Sequence, residues 1–254
     1  MLALILWIPL ALILGANFHS LLLAFPFALA SAIISEALYF YALTKGQLSI
    51  TAVLLGTYAI YTVVFSFLIN GERLTLIQLI SVAVTILGTL IVYLPSKFTR
   101  SELKLMGAIA IPLVTAIFIG LSDTASKGFI NYSGGDQSFL LMLTIVQIPV
   151  AIVYLHLEKQ RVLPLFKEVR NQPKLYKQAI AGSLFNVIGT GLLWISFTMT
   201  LASIASPIAA TSGAIVVLLA VFLLDEDLNW RTAVGLLATF VGIIGISLTS
   251  GRVL

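Results

Sequence analysis

Long apolar runs separated by short polar hinges fill nearly the whole chain, covering about residues 2–15, 20–43, 48–69, 76–95, 105–128, 138–157, 178–199, 202–224 and 231–249. Most are long enough to cross a hydrocarbon layer of about 30 Å as a helix. The runs are too continuous for the alternation of barrel strands, and a backbone facing lipid must satisfy its own hydrogen bonds, so the pattern predicts nine helical spans. Short connections make consecutive helices antiparallel neighbours. The longest polar stretch, 158–177, carries Lys159, Arg161, Lys167, Arg170, Lys174 and Lys177 and reads as an interfacial segment. The first run is short and follows Met1 with no basic region and no small-residue cleavage site, so it does not read as a signal peptide.

Composition sharpens this into an all-α polytopic membrane protein. Sixty per cent of residues are hydrophobic, 9% are charged and the mean hydropathy is +1.11, far from the balance of a soluble domain. The absence of cysteine excludes disulfide frameworks, thiolate metal sites and thiol nucleophiles. The basic pI of about 9.4 comes from loop Lys and Arg rather than from a nucleic-acid surface. Assigned to alternate sides, Lys45, Lys97, Arg100, Lys104, Arg231 and the 158–177 cluster fall together against Arg73 and Arg252. The positive-inside rule makes that side cytoplasmic, with Met1 inside and Leu254 outside.

The chain also repeats itself. Shifted by 154 residues, the second, third and fourth spans align with the seventh, eighth and ninth; Glu72 falls on Glu226, Ser49-Ile50 on Ser203-Ile204, Thr85 on Thr239 and Gly88 on Gly242. Two tandem copies of an odd number of helices must sit in opposite orientations, the plan of many secondary transporters. The division is 1–95 for the first copy and 105–249 for the second. The second copy has five helices and the first has four, so a first helix is expected to be missing.

The stretch Ala37-Leu38-Tyr39-Phe40-Tyr41-Ala42-Leu43, the hinge Gly71-Glu72-Arg73-Leu74-Thr75 and the following apolar helix with Gly88 resemble the EamA domain of the drug/metabolite transporter superfamily, and the second half repeats a degraded version. The resemblance implies a carrier of two five-helix repeats with a substrate cavity between them. It also implies a transporter of a small organic metabolite or drug-like solute, working by alternating access and exporting it from the cell. A truncated paralogue acting as a non-transporting subunit or scaffold is the alternative, supported by the missing helix.

Polar groups within the spans are the candidates for chemistry. Glu36 lies in an otherwise uncharged helix, where an ionised acid costs about 2.5–3.5 kcal/mol and should face the interior. Helical spacing puts Tyr39, Phe40 and Leu43 on its side. Its repeat counterpart is Thr190, in a stripe with Asn186 and Trp194 at i, i+4 and i+8. Glu36 is thus a candidate proton-coupling group, or an interfacial carboxylate paired with Lys45 or a tyrosine. Asp123 and Lys127 have the spacing of a helical ion pair; Lys127 can meet an anionic solute group or snorkel to the interface. Tyr58, with Tyr61, Thr57 and Thr62, suits either a cavity or an interface. Pro207 removes a backbone donor near Ser203, and Gln147 with Pro149 makes a similar pair. Ala238, Gly242 and Gly245 read as close helix packing.

The hinge glutamates Glu72 and Glu226 read mainly as helix punctuation, with a gating role as the alternative. Asn70-Gly71 is a helix stop, Thr75 and Gln78 have capping-box spacing, Asn229 is an N-cap, and each carboxylate would sit just before the next helix's N-terminus. The sequence shows no phosphate-binding Gly-rich loop, no nucleophile motif and no His cluster beyond the separate His19 and His156, so it points to neither an enzyme nor a metal or cofactor site. The expected partners are the lipid bilayer, a small-molecule substrate and protons, without nucleic acid; a homodimer is compatible with the sequence. The expected location is the bacterial inner membrane.

Overall fold

The computed structural model describes residues 2–13, 15–45, 51, 54–93, 106–133, 137–160, 164, 167, 171–212, 214–215 and 229–250. Among these, the regular structure is helical throughout: α1 (Leu2–Ile13), α2 (Phe18–Ser31), a π-helical stretch (Ala32–Leu38), α3 (Tyr39–Lys45), α4 (Tyr58–Ile69), α5 (Leu76–Tyr93), α6 (Met106–Ser133), α7 (Gln137–Leu157), α8 (Pro173–Met199), α9 (Ala202–Ala210) and α10 (Trp230–Ser250). Among the described residues, five stretches are long and apolar enough to cross a membrane: Phe18–Thr44, Ile109–Tyr132, Gln137–Leu157, Pro173–Met199 and Trp230–Thr249. Phe185, Leu237 and Leu248 are largely exposed, as side chains facing hydrocarbon should be. The protein is an all-α integral membrane protein.

Two helices outrun their apolar segments. α6 continues to Ser133 and α8 begins at Pro173, because hydropathy marks where a helix leaves lipid, whereas backbone bonding continues through polar residues. Proline is well suited to a first helical position. Lys174 and Lys177 therefore lie in the first turns of a helix.

The chain forms two compact units, each drawing on both halves of the sequence: Met1–Ala37 with Ala125–Met199, and Leu38–Thr124 with Thr200–Leu254. In the first, α1 and α2 pack on α7, and α1 also meets α8. An aromatic file runs from Phe27 through Phe129, Phe139 and Trp194 to Phe197, with ring centroids 4.7–6.2 Å apart. Asn17 caps α2 by accepting from the His19 N–H at 2.9 Å.

In the second unit, α5 packs along α10. Residues low on α5 meet residues high on α10: Gln78 reaches the Thr249 carbonyl and Val92 lies against Gly235. The two helices are therefore antiparallel. A Cβ on Gly88 would stand 2.5 Å from the Thr239 nitrogen, and one on Gly242 would stand 2.6 Å from the Thr85 nitrogen. The contact is reciprocal, since residues 154 apart exchange partners, and the missing side chains let the backbones touch. α4 meets α6 in the same way, with Gly120 against Tyr61 and Thr62. There Ser66 and Asn70 bond the hydroxyl and carbonyl of Thr124 at 3.2 and 3.0 Å.

Candidate functional site

The hinge after α4 is built locally. Gly71 takes φ +66, and the N–H groups of Asn70 and Glu72 both return to the Ser66 carbonyl, closing the helix. Thr75 and Gln78 then exchange the two bonds of a capping box at 2.9 and 3.3 Å, and Asn229 accepts from the Arg231 N–H at the start of α10.

Glu72 departs from the expected place. Its carboxylate does not serve α5, the helix that follows it, but α9: Oε1 accepts from the Ala202 N–H at 3.0 Å, and Oε2 accepts from the Ser203 N–H at 3.0 Å and the Ser203 hydroxyl at 2.5 Å. Leu201, at the N-cap position of α9, has no side-chain oxygen to offer. Helix α9 is buried, so its orphan N–H groups need an acceptor from elsewhere, and a carboxylate there also meets the positive end of the helix dipole. Glu72, 8% exposed, supplies both. Glu226 lies outside the described residues.

One turn further along α9, the Ser206 hydroxyl donates to Asp123 Oδ2 at 2.8 Å, and the Tyr58 hydroxyl donates to the Ser206 carbonyl at 3.2 Å. Asp123 is 4% exposed and also lies within hydrogen-bonding reach of Thr62. Pro207 cannot return an N–H to Ser203, which weakens the middle of this short helix. Two carboxylates thus address the same nine-residue helix, one at its end and one on its flank.

In the other unit, Lys127 is 5% exposed, and its ammonium donates to the Phe197 carbonyl. α6 runs on past Lys127 to Ser133, so the lysine lies within the helix rather than at its end. Phe197 sits in the last turn of α8, where a cation is favoured. Trp194 is 3% exposed and wedged between Phe139 and Phe197. Among the described residues its indole N–H has no hydrogen-bond partner, an unusual state for a buried donor.

Two residues of the α8 stripe border a small cavity. Asn186 and Thr190 line a small cleft with Thr144 and Gln147 of α7 and Trp7 of α1. Its volume of ≈ 20 Å³ admits about one water molecule. The Trp7 ring lies where a Cβ on Gly191 would stand, so glycine there makes the seat for an indole. Trp194 continues the stripe one turn beyond Thr190. Thr144 and Gln147 bring the facing polar groups, and no helical period connects them to α8, so only the tertiary fold could reveal the pairing.

The Glu36 side chain lies outside the described residues, and so does that of Lys45. The backbone of Glu36 falls in the π-helical stretch, where rotation per residue is smaller than in an α-helix. The face shared with Tyr39, Phe40 and Leu43 therefore does not follow from α-helical spacing. Tyr39 is half-buried, its ring edge-on to Phe40 at 5.7 Å. Among the described residues no His, Asp or Glu group is arranged to hold a metal.

A protein from Clostridium kluyveri described as an uncharacterized transporter is 24% identical over 214 residues, covering 83% of this chain and 67% of its own. A solved crystal structure with 15% identity matches 98% of this chain and 95% of its own with a TM-score of 0.63, which shows the fold. The EamA-like transporter family matches residues 1–94 and 105–248. Nearly every residue described above falls inside those two matches: the chain belongs to the EamA-like transporter family and is a membrane transporter.

Proposed function

We propose that the protein is a secondary transporter that moves a small organic metabolite or drug-like solute out of the cell by alternating access, with protons as the coupling ion. The observation that carries this reading is the uncharged polar lining on otherwise apolar membrane helices: Thr144 and Gln147 on α7 and Asn186 and Thr190 on α8. Polar groups at this depth are retained where they line a solute path, and this set offers donors and acceptors without a fixed charge. The antiparallel pairing of α5 with α10, which are counterparts in the two copies 1–95 and 105–249, supports an inverted repeat.

Counterflow of radiolabelled metabolites into proteoliposomes tests the proposal. A solute that exchanges with the wild type, and exchanges at least about tenfold less well in Asn186→Leu or Gln147→Leu, supports it; about 1.4 kcal/mol of lost binding suffices for that change. No exchange across a broad metabolite panel sinks it.

A further inference from the structure

Glu72 and Asp123 are both buried, and both bond a serine of α9, but their partners differ in kind. Two of the three groups facing Glu72 are backbone N–H groups, which can only donate. A proton added to Glu72 would compete with donors already in place. Asp123 meets hydroxyls instead: Ser206 donates to it, and Thr62 lies within reach. The Thr62 hydroxyl spends its own hydrogen on the Tyr58 carbonyl at 3.2 Å, leaving lone pairs that can accept from an Asp123 O–H. Asp123 can therefore hold or release a proton with every neighbour still satisfied, and Glu72 cannot.

We propose that Asp123 is the proton-binding site of this transporter and that Glu72 is a fixed anion that anchors α9 while Asp123 cycles. The proton enters from one aqueous side onto a carboxylate oxygen of Asp123, is donated in a hydrogen bond to Thr62, and leaves to the other side when access alternates. Loss of that proton restores the full charge of the carboxylate and strengthens the bond it accepts from the Ser206 hydroxyl, so the load on Asp123 is read by the flank of α9. The Pro207 gap makes this helix easier to shift there than at its Glu72-bound end. The other titratable groups on the elements around Asp123 are Tyr58, which bonds the Ser206 carbonyl, Tyr61, beside Gly120, and Glu72. Lys127 lies one turn on along the same helix and donates to the Phe197 carbonyl. The coupling role rests on the transporter reading; the proton site does not.

The test is infrared difference spectroscopy of the purified protein in lipid, titrated with acid across about pH 4 to 9, so that the proton itself is the probe. The expected result is a protonated-carboxyl band that titrates in the wild type and is lost in Asp123→Asn. In Ser206→Ala, where the acid loses its hydroxyl partner, the band should shift in frequency. A band that persists in Asp123→Asn, or that is unmoved in Ser206→Ala, overturns the assignment, as does a wild type without one. Counterflow needs no proton gradient and tests transport separately. Where the wild type exchanges solute, the acceleration of that exchange by an imposed pH gradient should be lost in Asp123→Asn. Acceleration retained in that variant removes the coupling role.

Discussion

The two compact units use glycine and buried charge in contrasting ways. Along the α5–α10 seam, Gly88, Gly235 and Gly242 have a neighbour's backbone within 3 Å of where a Cβ would stand, whereas Gly182 and Gly189 on α8 have nothing within 4 Å. One set is a condition of assembly and the other is open surface on a helix that presents its polar stripe to a cleft. Charge follows helix polarity: a carboxylate sits at the N-terminus of α9 in one unit, and an ammonium at the C-terminal turn of α8 in the other. In a chain with so few charges, these are placed where a helix end lacks partners of its own. The contrast teaches that glycine marks packing only where a second backbone arrives, and that a buried charge need not mark a solute site.

The same small substitution should therefore give opposite results in the two units. Gly242→Leu should prevent accumulation of folded protein, and Gly242→Ala should cost about 1–3 kcal/mol, read as a lowered thermal unfolding midpoint. A neutral Gly242→Ala would break the contrast. Glu72→Gln comes next. An amide cannot accept both N–H bonds and the hydroxyl bond with an ionised oxygen, so a loss of about 1.5–3 kcal/mol is expected in the same assay, with Thr75→Ala, a local cap, costing about 1 kcal/mol. Gly191→Ala meets the Trp7 ring rather than a backbone. A ring on a partly exposed side chain can swing, so its cost should stay near 1 kcal/mol, and its clearer effect should be on solute exchange. Gly182→Ala should raise the unfolding midpoint slightly, by up to about 1 kcal/mol of helix propensity.

What could be read in advance was what is local or imposed by lipid. The spans follow from apolar length, and the caps at Thr75 and Asn229 follow from spacing of a few residues. The reciprocal Thr85–Gly242 and Gly88–Thr239 contacts were half visible, as register without partners. The role of Glu72 is not legible locally, because the first of the amides it accepts from lies 130 residues away. The available signal was negative: Leu201 opens a buried helix with no capping side chain, a deficit that some other residue had to meet. The π-helical turn at Ala32–Leu38 has no mark in AIISEAL that distinguishes it from an α-helix. The cleft needed α7 and α8 side by side before Gln147 could join Asn186.

The distance along the chain between Glu72 and its helix also has a consequence for biosynthesis. The carboxylate is made 130 residues before the first amide it caps, and at about 5–20 residues per second it waits roughly 6 to 26 s for that amide to leave the ribosome. During that interval the nascent first half carries a carboxylate whose native hydrogen-bond donors, the Ala202 and Ser203 N–H groups and the Ser203 hydroxyl, do not yet exist.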